Sequence, residues 1–187
     1  MDKLATTEVP LHPLLAKRWS PRAFDRAHAL APEQLTALIE AARWAPSSNN
    51  TQPWRFLVTN RGETAFDELF DTLSPGNQQW AGAASALILV AAENTGPFAL
   101  YDTGLAVSNL VAQAGHEGLA VHQMGGFDKN AAIERFKLAE SLQPVVVVAI
   151  GRHDAEAPLS ATFAERERAP RTRRPVEEIL LRQPINA

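Results

Sequence analysis

Two unbroken apolar runs constrain this chain more than any other feature. Residues 86–92 (ALILVAA) and 145–150 (VVVVAI) carry no polar side chain, and neither alternates polar with apolar positions. At six or seven residues each is far too short for a membrane span. A continuous run of that length is the pattern of a strand buried on both faces of a sheet. Such strands need helices above and below, and the intervening sequence supplies them. After Pro32, a residue suited to a first helical turn, Leu35, Leu38, Ile39 and Ala42 recur at helical spacing. Further helices are expected over 63–73, over 98–117, and from Asp128 or Asn130 to Phe136. The one over 98–117 is apolar nearly all round and should be central. Residues 56–58 and 119–122 read as shorter strands, and Ser74-Pro75-Gly76 as a breaker. Strands separated by helices give a three-layer α/β or α+β domain. After Arg152 the chain is charged and punctuated by proline. Residues 155–187 have too few apolar side chains for a core of their own, so an extended arm wrapping another surface is expected.

A length of 187 residues favours one domain, here 1–187 with 155–187 as its C-terminal arm. Cysteine is absent, which excludes disulfide frameworks, thiolate metal sites, iron–sulfur clusters and a cysteine nucleophile. The balance of 18 basic against 21 acidic side chains argues against a nucleic-acid partner. No targeting segment or membrane span is read from the sequence, so a cytoplasmic protein is expected. One local asymmetry stands out: Arg166, Arg168, Arg171, Arg173 and Arg174 fall within nine residues. The interspersed Glu165 and Glu167 speak against a polyanion as their target.

Four motifs carry chemistry. In Arg18-Trp19-Ser20-Pro21-Arg22 the proline biases Ser20 toward extended backbone. Residues i, i+2 and i+4 then point one way, so two guanidinium forks and a hydroxyl converge as a phosphate site would require. Two solvated arginines beside a helix start is the competing reading. Pro46-Ser47-Ser48-Asn49-Asn50-Thr51-Gln52-Pro53 places six small hydroxyl or amide residues between prolines, more than a cap or turn consumes. Such a run can read the hydrogen-bonding edge of a flat heterocycle. Gln123-Met124-Gly125-Gly126 offers paired glycines that allow close approach of backbone to a ligand. Arg171-Thr172-Arg173 repeats the alternating arginine spacing, with Arg174 as a substitute register. The usual nucleotide cradles, the G-x-S-x-G elbow and the H-E-x-x-H zinc motif are missing.

Taken in order, these elements resemble the nitroreductase family of FMN-dependent oxidoreductases, from Arg18 to about residue 180. The matching parts are R-x-S-x-R (Arg18, Ser20, Arg22), the run from Pro46 to Trp54, Asn77 before Trp80, the HQMGGFD stretch from His122, and the late R-x-R. The resemblance implies an α+β fold of three layers, a mixed central sheet flanked by helices, and an arm extending onto a partner subunit. It implies a homodimer with FMN at the interface. Arg18, Ser20 and Arg22 would hold the phosphate with Arg171 and Arg173, and Trp19 stands in that motif where relatives often carry a basic residue. Pro46, Ser47, Ser48 and Asn50 would reach the flavin of the other subunit. Asn77 and the stretch Gln123, Met124, Gly125 and Gly126 would border the ring or ribityl chain. The implied activity is ping-pong transfer of electrons from NADPH or NADH to a nitroaromatic, a quinone or a similar small-molecule acceptor. Relatives acting on enoyl, aldehyde or flavin acceptors, and a non-catalytic FMN-binding protein, are the alternatives. No residue is expected to be a covalent catalyst, because the cofactor carries the chemistry.

Overall fold

The computed structural model describes residues 3–181. Its centre is a four-stranded sheet in the order β1-β2-β4-β3, with β1 at Trp54–Asn60, β2 at Ala86–Glu93, β3 at Ala120–Met124 and β4 at Leu142–Gly151. The two apolar runs are the two inner strands. Their side chains alternate between faces. Leu87, Leu89, Val147 and Ala149 enter one core, while Ile88, Val90, Val148 and Ile150 enter the other.

Helices α2 (Pro32–Arg43) and α5 (Ala99–His116) cover the second core through Leu38, Ala42, Ala106, Val107, Leu110 and Ala114. The first core is closed by α3 (Thr64–Asp71), α4 (Pro75–Ala81) and α6 (Lys129–Phe136), which contribute Phe66, Leu69, Trp80 and Ala132. The expected three-layer α+β architecture is therefore present. No helix among the described residues is long and apolar enough to cross a membrane.

Three expectations need correction. Every adjacent strand pair is antiparallel, where a mixed sheet is expected. Helix α5 does carry the chain across so that β2 and β3 run parallel to each other. Strand β4 then inserts between them, which makes each neighbouring pair antiparallel. Ser74-Pro75-Gly76 does not only break a helix. Pro75 occupies the first turn of α4, where its missing N–H costs nothing.

The arm, finally, is not extended throughout. Residues Ala161–Arg168 form a helix, α7, that packs on its own chain, and Val176–Ile179 form the short α8. Phe163 is buried in the first core with Leu159 against it, so two apolar side chains are enough to dock the arm. A further short helix that the apolar pattern does not reveal, α1 at Pro13–Lys17, precedes the first arginine motif.

Candidate functional site

Arg18 follows α1 directly as its C-cap, with extended backbone. Its guanidinium lies 3.5 Å from the Ser20 hydroxyl, at the limit of a hydrogen bond. Arg171 and Arg173 come to the same place from the far end of the chain. Burial, and then the neighbouring Arg173 charge, hold Arg18 below the usual arginine range. Arg171 is lowered by burial first, then by Arg18 and Arg173. Arg171 donates to the carbonyls of Lys3 and Ala16, both at 2.7 Å, so its position is set by backbone. Among the described residues no carboxylate lies within ion-pair distance of Arg18, Arg171 or Arg173. Three like charges are thus gathered with no carboxylate among the described residues paired to them. Beside Arg18 opens a cavity of about 390 Å³ whose lining includes Lys3, Lys17, Val111, Gly115 and Val121.

The alternating spacing predicts that Arg22 joins this group, and the structure divides them. The Arg22 backbone N–H donates to Glu167 Oε1 at 2.7 Å, and its guanidinium lies 3.9 Å from the same oxygen. The rings of Phe163 and Trp80 stand 5.4 and 6.0 Å away. A half-buried carboxylate and two aromatic faces outcompete the alternation of side chains expected of an extended segment. Trp19 lines the same cavity as Arg18, with the Lys3 ammonium 4.5 Å from its ring and His153 edge-on at 5.4 Å. His122 on β3 fastens this segment to the sheet: its Nδ1 lies 2.9 Å from the Pro21 carbonyl and its ring 4.5 Å from Trp80. Burial lowers His122 to about 4, the Pro21 bond opposing this, so the ring is neutral near pH 7 and Nδ1–H donates.

The loop of small polar residues contains one 3-10 turn, Ser48–Asn50. Asn49, Asn50 and Gln52 adopt positive φ, a conformation asparagine tolerates better than most residues and glutamine does not favour. The loop closes on itself, since Ser47 Oγ accepts from the Gln52 N–H at 3.1 Å. It is anchored to α5 by the Ser48 N–H, which donates to Asp102 Oδ2 at 3.0 Å. Asp102 is buried and has no signature in the sequence that would single it out. Pro46 and Asn50 face solvent.

Asn77 and Gly126 do meet. The Asn77 amide donates to the Gly126 carbonyl at 3.0 Å, and the Ser74 N–H donates to the same oxygen at 3.0 Å. A β-carbon on Gly126 would stand 2.9 Å from Ser74 Oγ, so glycine is needed for the close approach. Gly125 has open space around it and Gln123 is exposed. The Met124 side chain is fully buried in the core, leaving only its backbone to any ligand.

The arginine cluster and the polar loop lie at opposite ends of α5. Asp102 anchors the loop, Gly115 borders the arginine cavity, and 13 residues at 1.5 Å separate them by about 20 Å.

The fold and this geometry define an α+β domain with a cluster of arginines drawn from segments near both ends of the chain. The nitroreductase family model matches residues 15–74 and 63–152, and the chain belongs to that family. An uncharacterized 15.4 kDa protein of Mycolicibacterium smegmatis is 38% identical over 141 residues, 67% of this chain and 92% of that protein. An oxygen-insensitive NADPH nitroreductase of Helicobacter acinonychis is 38% identical over 81 residues, 41% of this chain and 36% of its own length. A crystal structure described as an oxidoreductase containing FMN superposes with a TM-score of 0.89 at 33% identity, over 94% of this chain and 93% of that one.

Proposed function

We propose that the chain is an FMN-dependent oxidoreductase that takes electrons from NADPH or NADH and delivers them to a small acceptor such as a nitroaromatic or a quinone. The observation that carries this reading is the group Arg18, Arg171 and Arg173, gathered without a carboxylate among the described residues. A phosphate monoester supplies the missing negative charge and matches guanidinium geometry. The similar proteins described as containing FMN or reducing nitro compounds support the same assignment. When bound, FMN would supply the hydride and electron chemistry.

The chain's own residues would bind and orient it. Arg18, Ser20, Arg171 and Arg173 would take the phosphate. Asn77 and the backbone at Gly125 and Gly126, reached along β3, would border the ring system. Pro46, Ser47, Ser48 and Asn50 would complete the site from a second copy, because their own arginine cluster is about 20 Å away. The exposed area agrees with a homodimer: 11549 Å² exceeds by about 30% what a compact chain of this mass shows. Trp44, Phe98 and Tyr101 are among the large apolar side chains left exposed for a partner to cover.

The test is the absorption spectrum of the purified protein, followed by NADPH and NADH oxidation with menadione or nitrofurazone. Bound flavin and turnover with either acceptor are expected, together with a dimer in sedimentation. A colourless protein that takes up no added FMN would overturn the reading, and so would bound FMN that neither nicotinamide reduces.

A further inference from the structure

Three like charges do not assemble unaided. Each of Arg18, Arg171 and Arg173 raises the cost of bringing up the others, and the last two belong to an arm that the strand pattern leaves unpaired. Something must hold the arm in register, and the structure shows what does. The segment from Ala16 to Arg22 and the segment from Glu167 to Arg171 run past each other in opposite directions. At one end Glu167 Oε1 accepts the Arg22 N–H at 2.7 Å. At the other, Arg171 donates to the Ala16 carbonyl at 2.7 Å. The carbonyl of Glu167 accepts from Lys3 Nζ at 2.6 Å, tying in the N-terminal segment as well. The Glu167 side chain is 11% exposed, and its second oxygen is buried without a partner. Three residues, and at most about 14 Å of chain, separate Glu167 from Arg171. A slip at the first contact would therefore move the second.

From this geometry we infer that Glu167 is a positioning residue for the phosphate pole: by accepting the Arg22 N–H it docks α7 and delivers Arg171 and Arg173 to Arg18 of the same chain. Arg22 acts through this contact as the anchor of the arm, and the phosphate is held by the other three arginines. This rests on the FMN reading above. It adds that an acidic side chain, which would repel the cofactor if it lay beside the phosphate, is required for the phosphate to be recognised.

The experiment compares affinities of the apoprotein for FMN and for riboflavin, which lacks the phosphate, by quenching of flavin fluorescence. The ratio of the two dissociation constants isolates the phosphate contribution. Glu167→Met keeps the length of the side chain and removes both acceptor oxygens. It is expected to shrink the ratio by about tenfold or more, with riboflavin affinity held within about twofold. Glu167→Gln keeps an oxygen for the Arg22 N–H and is expected to retain the ratio within about threefold. Arg18→Met, measured alongside, reports on the cofactor reading itself. If Arg18→Met collapses the ratio and Glu167→Met leaves it unchanged, the positioning role is wrong and the phosphate site stands. If wild type does not distinguish FMN from riboflavin, the phosphate reading falls and this inference with it. Should Glu167→Met not fold, hydrogen exchange of the wild type decides. The Arg22 amide and residues 161–171 should open together, and an Arg22 amide that exchanges freely while the arm stays protected would overturn the inference.

Discussion

Replacing Arg18 by methionine should push two properties in opposite directions. The substitution keeps most of the aliphatic stem and removes one of three mutually repelling cations. Among the described residues its one side-chain hydrogen bond is the 3.5 Å contact to Ser20, too long to contribute much. No buried acceptor is orphaned by the change, and Arg171 is relieved of a neighbouring charge. The melting temperature of the apoprotein should therefore stay level or rise. Binding of a phosphate should suffer, because a charge-assisted hydrogen bond contributes about 1.5–3 kcal/mol. At about 1.4 kcal/mol per decade, that weakens FMN by about 10- to 150-fold. Riboflavin, having no phosphate, should bind as before. The assay is a fluorescence titration of apoprotein with each flavin at low and high salt, beside thermal melts. The FMN curve alone should depend on salt, and less so in the variant. Equal losses for both flavins would refute the argument, as would a marked fall in the melting temperature. Either would mean that Arg18 supports the fold and not the ligand.

Other predictions concern the parts around the site. Burial holds His122 near 4, whereas an unfolded histidine titrates near 6.5. The unfolded chain therefore binds the extra proton between those values, and stability should fall as pH drops through that window, by up to about 3 kcal/mol. His122→Gln should flatten most of this dependence in melts between about pH 7 and about pH 4; an unchanged slope would reject the assignment. His28 and His153, also lowered by burial, and the carboxylates of Glu40, Asp25 and Glu63, lowered by hydrogen bonds, contribute to the remainder. Gly126→Ala places a β-carbon 2.9 Å from Ser74 Oγ and 3.2 Å from Asn77 Nδ2. The hydroxyl can rotate, but Asn77 must surrender its bond to the Gly126 carbonyl, costing about 1 kcal/mol and about 2–4 °C of melting temperature. A wild-type melt together with wild-type FMN affinity would contradict it. Asp102→Ala leaves the Ser48 N–H without its acceptor and should cost about 1–3 kcal/mol. Hydrogen exchange across residues 47–52 should quicken, and unchanged rates would show that Asp102 does not hold the loop.

The sheet and its helices were largely legible because burial is written locally. Residues 86–92 and 145–150 are inner strands, as their unbroken apolar runs suggest. Helix α5, expected to be central, is instead buried along one face only, with Leu100 and Tyr101 exposed on the other. The motif residues were legible by type and spacing. Their contacts were not. Period-two spacing put Arg22 beside Arg18, yet Glu167, 145 residues away, takes it. Nothing marks Glu167 among the alternating acids and arginines of α7, and nothing marks Asp102 within an alanine-rich helix. The partners of both are set by which elements pack together, which no local window contains.

Local sequence is enough to specify the layered fold, the family and the kinds of groups available for a ligand. Alternation of burial and the chemistry of side chains are properties of a few consecutive residues. Only the tertiary structure decided which cations meet, that the arm docks on its own chain through Phe163, and that the polar loop sits at the far end of α5. Those outcomes depend on competition between distant partners. A 2.7 Å bond to a half-buried carboxylate outweighs simple side-chain alternation along residues 18–22, and an 18-residue helix holds the arginine cluster and the polar loop about 20 Å apart.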